Sequence, residues 1–194
     1  MGRAGLAVPA LELRQQARQI RGGVGVGKGL GEVVASHGVA VMAERSGLEV
    51  ACRSDTAALH GLVQDMLQAF AGVHCLRDPT RGGLAAVLDE IAKQSSVCVH
   101  LQETSVPLGP GVQAACEILG LEPMHLANEG VLVGVVPEQG ATPVLQAMQA
   151  HPLGRNACAI GTVQEGEAHV ILHTAIGGQR ILSVPSGDLL PRIC

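Results

Sequence analysis

A chain with no Trp, no Tyr and a single Phe (Phe70) must build its core from aliphatic side chains. Leu, Val, Ile, Ala and Met have to do that packing, and 47% apolar content over 194 residues is ample for one large domain. Charged residues make up only 15% and the net charge is −4. The chain therefore lacks both the basic excess and the stacking platforms of a nucleic-acid binder. No apolar run reaches the roughly 18 residues of a membrane span. The six cysteines (Cys52, Cys75, Cys98, Cys116, Cys158 and Cys194) form no CxxC pair, so zinc-ribbon and redox motifs find no support. Cys98 and Cys116 sit in apolar runs and read as small buried hydrophobes. Without a secretory signal, the expected setting is the reducing cytoplasm.

Pro9 to Ile20 predicts one short helix, followed by the glycine-rich run Arg21 to Gly31. Gly22, Gly27 and Lys28 approach a phosphate loop, but Gly29 stands where Ser or Thr must hold magnesium and no strand precedes. The run is expected to be a linker, so residues 1–32 are set apart as an atypical segment.

Order is expected from residue 33 to 184. His37 to Met42 starts an apolar segment, helical or extended. Ser54-Asp55-Thr56 offers an N-cap for a helix whose inward face is Ala58, Leu59, Leu62, Val63, Met66, Leu67 and Phe70. Val73 to Leu76, Val97 to Leu101, Val131 to Val136, Ala159 to Val163, Ala168 to Thr174 and Gln179 to Val184 read as strands. Helices are expected through Leu84–Ile91, Gly111–Leu119 and Pro143–Ala150, with Gly120 as a left-handed cap. The fold class is α+β, an α/β sandwich with a mixed sheet and helices packed on one face.

Three places could carry chemistry. Asp78-Pro79-Thr80-Arg81-Gly82-Gly83 runs from a strand into a helix N-terminus, which suits an anion, although Asp78 and Thr80 serve equally as capping groups. Asn128-Glu129-Gly130 leads into a buried strand, where desolvation can turn Glu129 into a base. The last residue is Cys194, on an arm (185–194) rich in turn formers. His169 and His173 lack the HExxH pattern and read as structural, so no metal is assigned.

These stretches coincide in order with His37-Gly38-Val39-Ala40-Val41-Met42, Ser54-Asp55, Leu119-Gly120-Leu121, His151-Pro152-Leu153-Gly154, Ile160-Gly161-Thr162-Val163 and the terminal Pro191-Arg192-Ile193-Cys194. Over residues 33–194 the combination resembles the HypE family of hydrogenase maturation proteins, carbamoyl dehydratases of the AIR-synthetase-like superfamily. The resemblance implies an AIR synthase C-terminal-type domain ending in a mobile cysteine tail. It implies a carbamoyl group carried on Cys194, dehydrated with ATP and Mg2+ to a thiocyanate that supplies the cyanide ligands of the [NiFe]-hydrogenase iron. Glu129 would be the base, Asp78, Thr80, Arg81 and Asn128 would stand on the phosphate side, and Pro191, Arg192 and Ile193 would form the tail. Implied partners are a HypF-type carbamoyltransferase, the HypC–HypD complex and a second copy.

The family's Gly-Asp-His-Gly reads Ala35-Ser36-His37-Gly38 here, and its Asn-Glu-Gly-Lys ends in Val131. Residues 1–32 do not resemble the family's nucleotide-binding domain. An N-terminally truncated member with weak or absent ATP hydrolysis is therefore expected. Rival readings are a docking module without chemistry, or another ATP-using synthetase that shares the Asp-x-Thr-x-Gly-Gly loop but not the terminal cysteine.

Overall fold

Val131–Pro137 is an unbroken apolar run because both of its faces are buried. Val131, Val133 and Val135 enter the larger core, while Leu132 and Val136 enter a second one. A computed structural model describes the backbone of residues 22–28 and all of residues 34–184. Its seven strands are β1 (Gly22–Lys28), β2 (Cys75–Arg77), β3 (Val97–Gln102), β4 (Val131–Pro137), β5 (Cys158–Glu165), β6 (Val170–His173) and β7 (Gln179–Ile181). They form one sheet in the order β2-β4-β1-β5-β3-β6-β7. Only the β3–β6 pair is parallel, so the sheet is mixed, as expected.

The glycine-rich run overturns its sequence reading. Gly22–Lys28 is neither a linker nor a phosphate loop but an interior strand. It is antiparallel to β4 from Gly22↔Pro137 to Lys28↔Val131, and to β5 from Gly22↔Val163 to Val26↔Cys158. Its glycines hide it, because strand propensity is carried largely by side chains that they lack. The β5 register slips by one residue at Val24/Gly25. This bulge lets Ile160 and Val163, three positions apart, both reach the core.

Among the described residues five α-helices cover the sheet: α1 (Ser36–Ser46), α2 (His60–Ala69), α3 (Gly83–Ser95), α4 (Pro110–Leu119) and α5 (Glu138–Ala150). α3 lies along β3 and β6, and α1 packs with α4 in the same core. Helices were expected on one face. Over the β2-β4-β1 half the second face is covered too, by α2 and α5, whose Leu62, Met66, Val144 and Met148 meet Leu132 and Val136.

The remaining differences are local. α2 starts at His60 with Leu59 at its N-cap and no side-chain cap, so Ser54-Asp55-Thr56 is not its cap. Leu67, expected inward, is 44% exposed. α5 starts at Glu138, and Pro143 lies inside it. Gly120 does adopt the left-handed cap, at φ 65. The helix expected over Pro9–Ile20 and the arm 185–194 lie outside the described residues. Among those residues no helix is long and apolar enough to cross a membrane.

The two leucines of α2 give a direct check. Leu62→Ala, at a site with no exposure, should cost about 2–5 kcal/mol. Leu67→Ala should stay within about 0.5 kcal/mol of the parent. Urea unfolding followed by circular dichroism measures both.

Candidate functional site

Three segments far apart in sequence meet at Asn128. Its side chain has no exposure, so every polar atom it carries needs a partner. Oδ1 accepts the Ala35 N–H at 2.7 Å, at the start of α1. Nδ2 donates to the carbonyls of Pro79 at 3.1 Å and Leu126 at 2.9 Å. The Asn128 N–H also donates to the Pro79 carbonyl, at 3.1 Å. One amide thus joins the first turn of α1, the loop before α3 and the turn before β4.

Glycines permit this closeness. A Cβ on Gly38 would lie 2.9 Å from Leu126 Cβ, and the Gly38 N–H donates to the Ala127 carbonyl at 3.0 Å. A Cβ on Gly83 would lie 2.5 Å from the Leu126 carbonyl oxygen, and one on Gly130 would lie 1.6 Å from that of Asp55. Gly82 and Gly83 both take positive φ, 69 and 63, turning the chain sharply into α3. Ala35 does the same at φ 72 without being glycine. It occupies the position where the family resemblance puts glycine, and the Asn128 hydrogen bond holds it there.

The loop residues Asp78 and Arg81 are exposed and Thr80 is half-buried. The N-cap of α3 is Gly82, with no side-chain cap bond, so Asp78 and Thr80 are not its capping groups. Glu129 is half-buried on the turn, and its N–H donates to Asp55 Oδ1 at 2.9 Å. The structure thus brings Asn128, Glu129 and the Asp78–Gly83 loop together. Cys194, Pro191, Arg192 and Ile193 lie outside the described residues.

Sequence reasoning missed Asp55 as part of the site, because Ser-Asp-Thr before a helical stripe imitates a cap. Its carboxyl has no exposure. Burial pushes its pKa above the ordinary 3.8, against the pull of the Glu129 N–H and the His37 charge. His37 Nδ1 is 2.8 Å from Ser54 Oγ, which is 2.7 Å from Thr56 Oγ1. Asp55 Oδ2 and His37 Nε2 are both buried without a hydrogen-bond partner among the described residues.

Elsewhere, His173 Nε2 lies 3.0 Å from His100 Nδ1 and His169 Nε2 lies 2.8 Å from Glu167. Among the described residues no group of three potential ligands could hold a metal ion. The described cysteines are free thiols, and burial pushes Cys116 up to about 11.

Residues 23–173 match the family model of the AIR synthase related protein, C-terminal domain. The chain is 52% identical over 162 residues to the carbamoyl dehydratase HypE of Bradyrhizobium diazoefficiens, covering 81% of this chain and 47% of that protein. A crystal structure of the hydrogenase maturation protein HypE in complex with ATP superposes with a TM-score of 0.83 at 37% identity, over 91% of this chain and 53% of the other. A HypE–HypF complex superposes with a TM-score of 0.78 at 37% identity, over 86% of this chain and 54% of the other. The chain spans about half the length of the curated relatives it matches.

Two substitutions test the junction. Asn128→Ala removes the side-chain partner of the Ala35 N–H and of the Leu126 carbonyl, while the Pro79 carbonyl keeps the backbone N–H of residue 128, and should cost about 1–3 kcal/mol for each group that water cannot reach. Ala35→Gly should be neutral or stabilising within about 1 kcal/mol, since relief of positive φ offsets the lost methyl. Ala92→Gly, equally buried but inside α3, should cost about 1 kcal/mol or more. Thermal unfolding distinguishes the two alanines.

Proposed function

The chain belongs to the HypE family of carbamoyl dehydratases, within the AIR synthase-related proteins, and from that membership we propose that it carries the thiol end of an ATP-dependent dehydration that turns a carbamoyl group into a cyano group. The observation that supports this best is the Asn128 junction, which ties the residue next to Glu129 to Pro79 of the Asp78–Gly83 loop.

The chemistry assigns each part a task. Cys194 Sγ gives up its proton and attacks the activated carbamoyl carbon offered by a HypF-type carbamoyltransferase; the bond from that carbon to the donor's activating group breaks, that group leaves as an anion, and S–C(=O)–NH2 is formed. The amide oxygen then takes the γ-phosphoryl group of ATP, supplied with magnesium, and ADP leaves. Expulsion of phosphate carries that oxygen away while the nitrogen gives up two protons, leaving S–C≡N. Glu129 accepts the amide protons one at a time. Asp78, Thr80 and Arg81, with the backbone N–H groups that open α3, face the phosphate. The arm through Pro191, Arg192 and Ile193 lets the thiol travel between the partner's site and this one. The HypC–HypD complex is the proposed acceptor of the cyano group, and a second copy of the chain completes the assembly. The setting is cytoplasmic.

A second reading has its own support. Ser36 and Val131 stand where the family resemblance places Asp and Lys, which favours a chain that accepts the carbamoyl group and docks but does not dehydrate it. Intact mass spectrometry separates the two after incubation with HypF, ATP and carbamoyl phosphate. The wild type should gain one carbamoyl group and then lose one water, whereas Cys194→Ala should gain nothing. Equal gain on both would sink the proposal, and gain without water loss would select the docking reading.

A further inference from the structure

Among the described residues Asp55 is the fully buried ionisable side chain. Removing a carboxyl from water is costly unless its charge is compensated, and a simple tie between two loops needs no acid. Asn or Ser would hold the Glu129 N–H equally well. What an acid adds is a charge that can be present or absent, placed behind the turn that carries Glu129.

The surroundings are built to keep it there. Asp55 Oδ1 accepts the Glu129 N–H at 2.9 Å. The Asp55 carbonyl and the Ala57 nitrogen press against Gly130, where a Cβ would lie 1.6 Å and 3.0 Å from them. The segment through Asp55 and the Asn128–Gly130 turn are therefore locked face to face. From the other side, α1 brings His37, its ring oriented by Ser54 Oγ at 2.8 Å. Ser54 is itself held by Thr56, through Oγ1 at 2.7 Å and the backbone N–H at 3.3 Å. That leaves Asp55 Oδ2 and His37 Nε2, one acidic and one basic, both shut away from water with no other described partner.

We propose that Asp55 is the positioning residue of this site: its carboxyl, held against the Asn128–Gly130 turn, directs the Glu129 backbone and sets the charge behind the Glu129 side chain. This deepens the function proposed above and rests on it. Asp55 touches no substrate. It acts through the Glu129 backbone, and His37 acts through Asp55. Four groups bear on the Asp55 carboxyl: the imidazole of His37 on α1, the N–H groups of Glu129 and Gly130 on the facing turn, and its own N–H.

Two measurements test the assignment. In the 194-residue chain, the Glu129 amide proton should titrate in 15N–1H correlation spectra, because its acceptor changes charge. The midpoint should lie above the ordinary carboxylate range, since burial raises it. Asp55→Asn, the same shape without the charge, should abolish that titration and leave the other cross-peaks in place. His37→Ala should move the midpoint higher still, because the imidazolium favours the carboxylate. A Glu129 amide that does not titrate, or that titrates alike in Asp55→Asn, overturns the proposal. In the whole protein, Asp55→Asn should slow dehydration of the carbamoylated thiol by about tenfold or more while carbamoyl loading by HypF keeps its rate. Equal slowing of both steps, or of neither, also overturns it. If the wild type is never carbamoylated, the functional reading fails by itself, and the amide titration still decides whether Asp55 governs the turn.

Discussion

The junction of α1, the Pro79 loop and the β4 turn depends on one buried amide. Asn128 donates twice and accepts once, and each bond reaches a different segment. An amide can do this because it carries donors and an acceptor on one planar group. A carboxylate would face two carbonyls with no proton to give, and a leucine of similar size would take away the partner of the Ala35 N–H and of the Leu126 oxygen. The cost of burying the group is thereby turned into specificity: only one arrangement of α1, the Pro79 loop and the β4 turn satisfies it. The glycines at 38, 83 and 130 are the steric counterpart, since each keeps a Cβ out of a neighbouring backbone.

Much of the architecture was legible because it was written in side chains. The α3 stripe Leu84, Val87, Leu88 and Ile91 is buried as its spacing predicts. The continuous Val131–Val136 run is the doubly covered strand that such runs suggest. What failed to show was written in backbone. β1 carries four glycines in seven residues and holds its place through ladders on both edges, a signal that no side-chain pattern contains. Reading it as a linker also set the boundary too late, because an interior strand of the sheet lies on the far side of it.

The site was legible in part for a related reason. Asn128, Glu129 and the Asp78–Gly83 loop declare themselves as turns next to strands, and the structure joins them. Asp55 was misassigned because Ser-Asp-Thr is a common helix opening, and the competing use depends on a contact with Glu129 that no local pattern encodes. Ala35 is the inverse case. Its residue type conflicts with its φ of 72, and the conflict is tolerated because tertiary bonds over-determine the position.

The placement of β1 also has a temporal side. It precedes both of its neighbours, β4 and β5, by most of the domain, and it fills the gap between them. On a ribosome this strand emerges early and has nothing to pair with until β4 and then β5 have been synthesised. The β2–β4 pair and the β5-β3-β6-β7 group form the two halves of the sheet, and neither is closed until the earlier segment threads between them. Contacts so distant in sequence make folding slow and leave two unpaired strand edges exposed in the meantime. Over that interval the nascent chain carries edges open to wrong pairing, so mutations in the glycine-rich strand would be felt first as lost yield rather than as a lowered melting point.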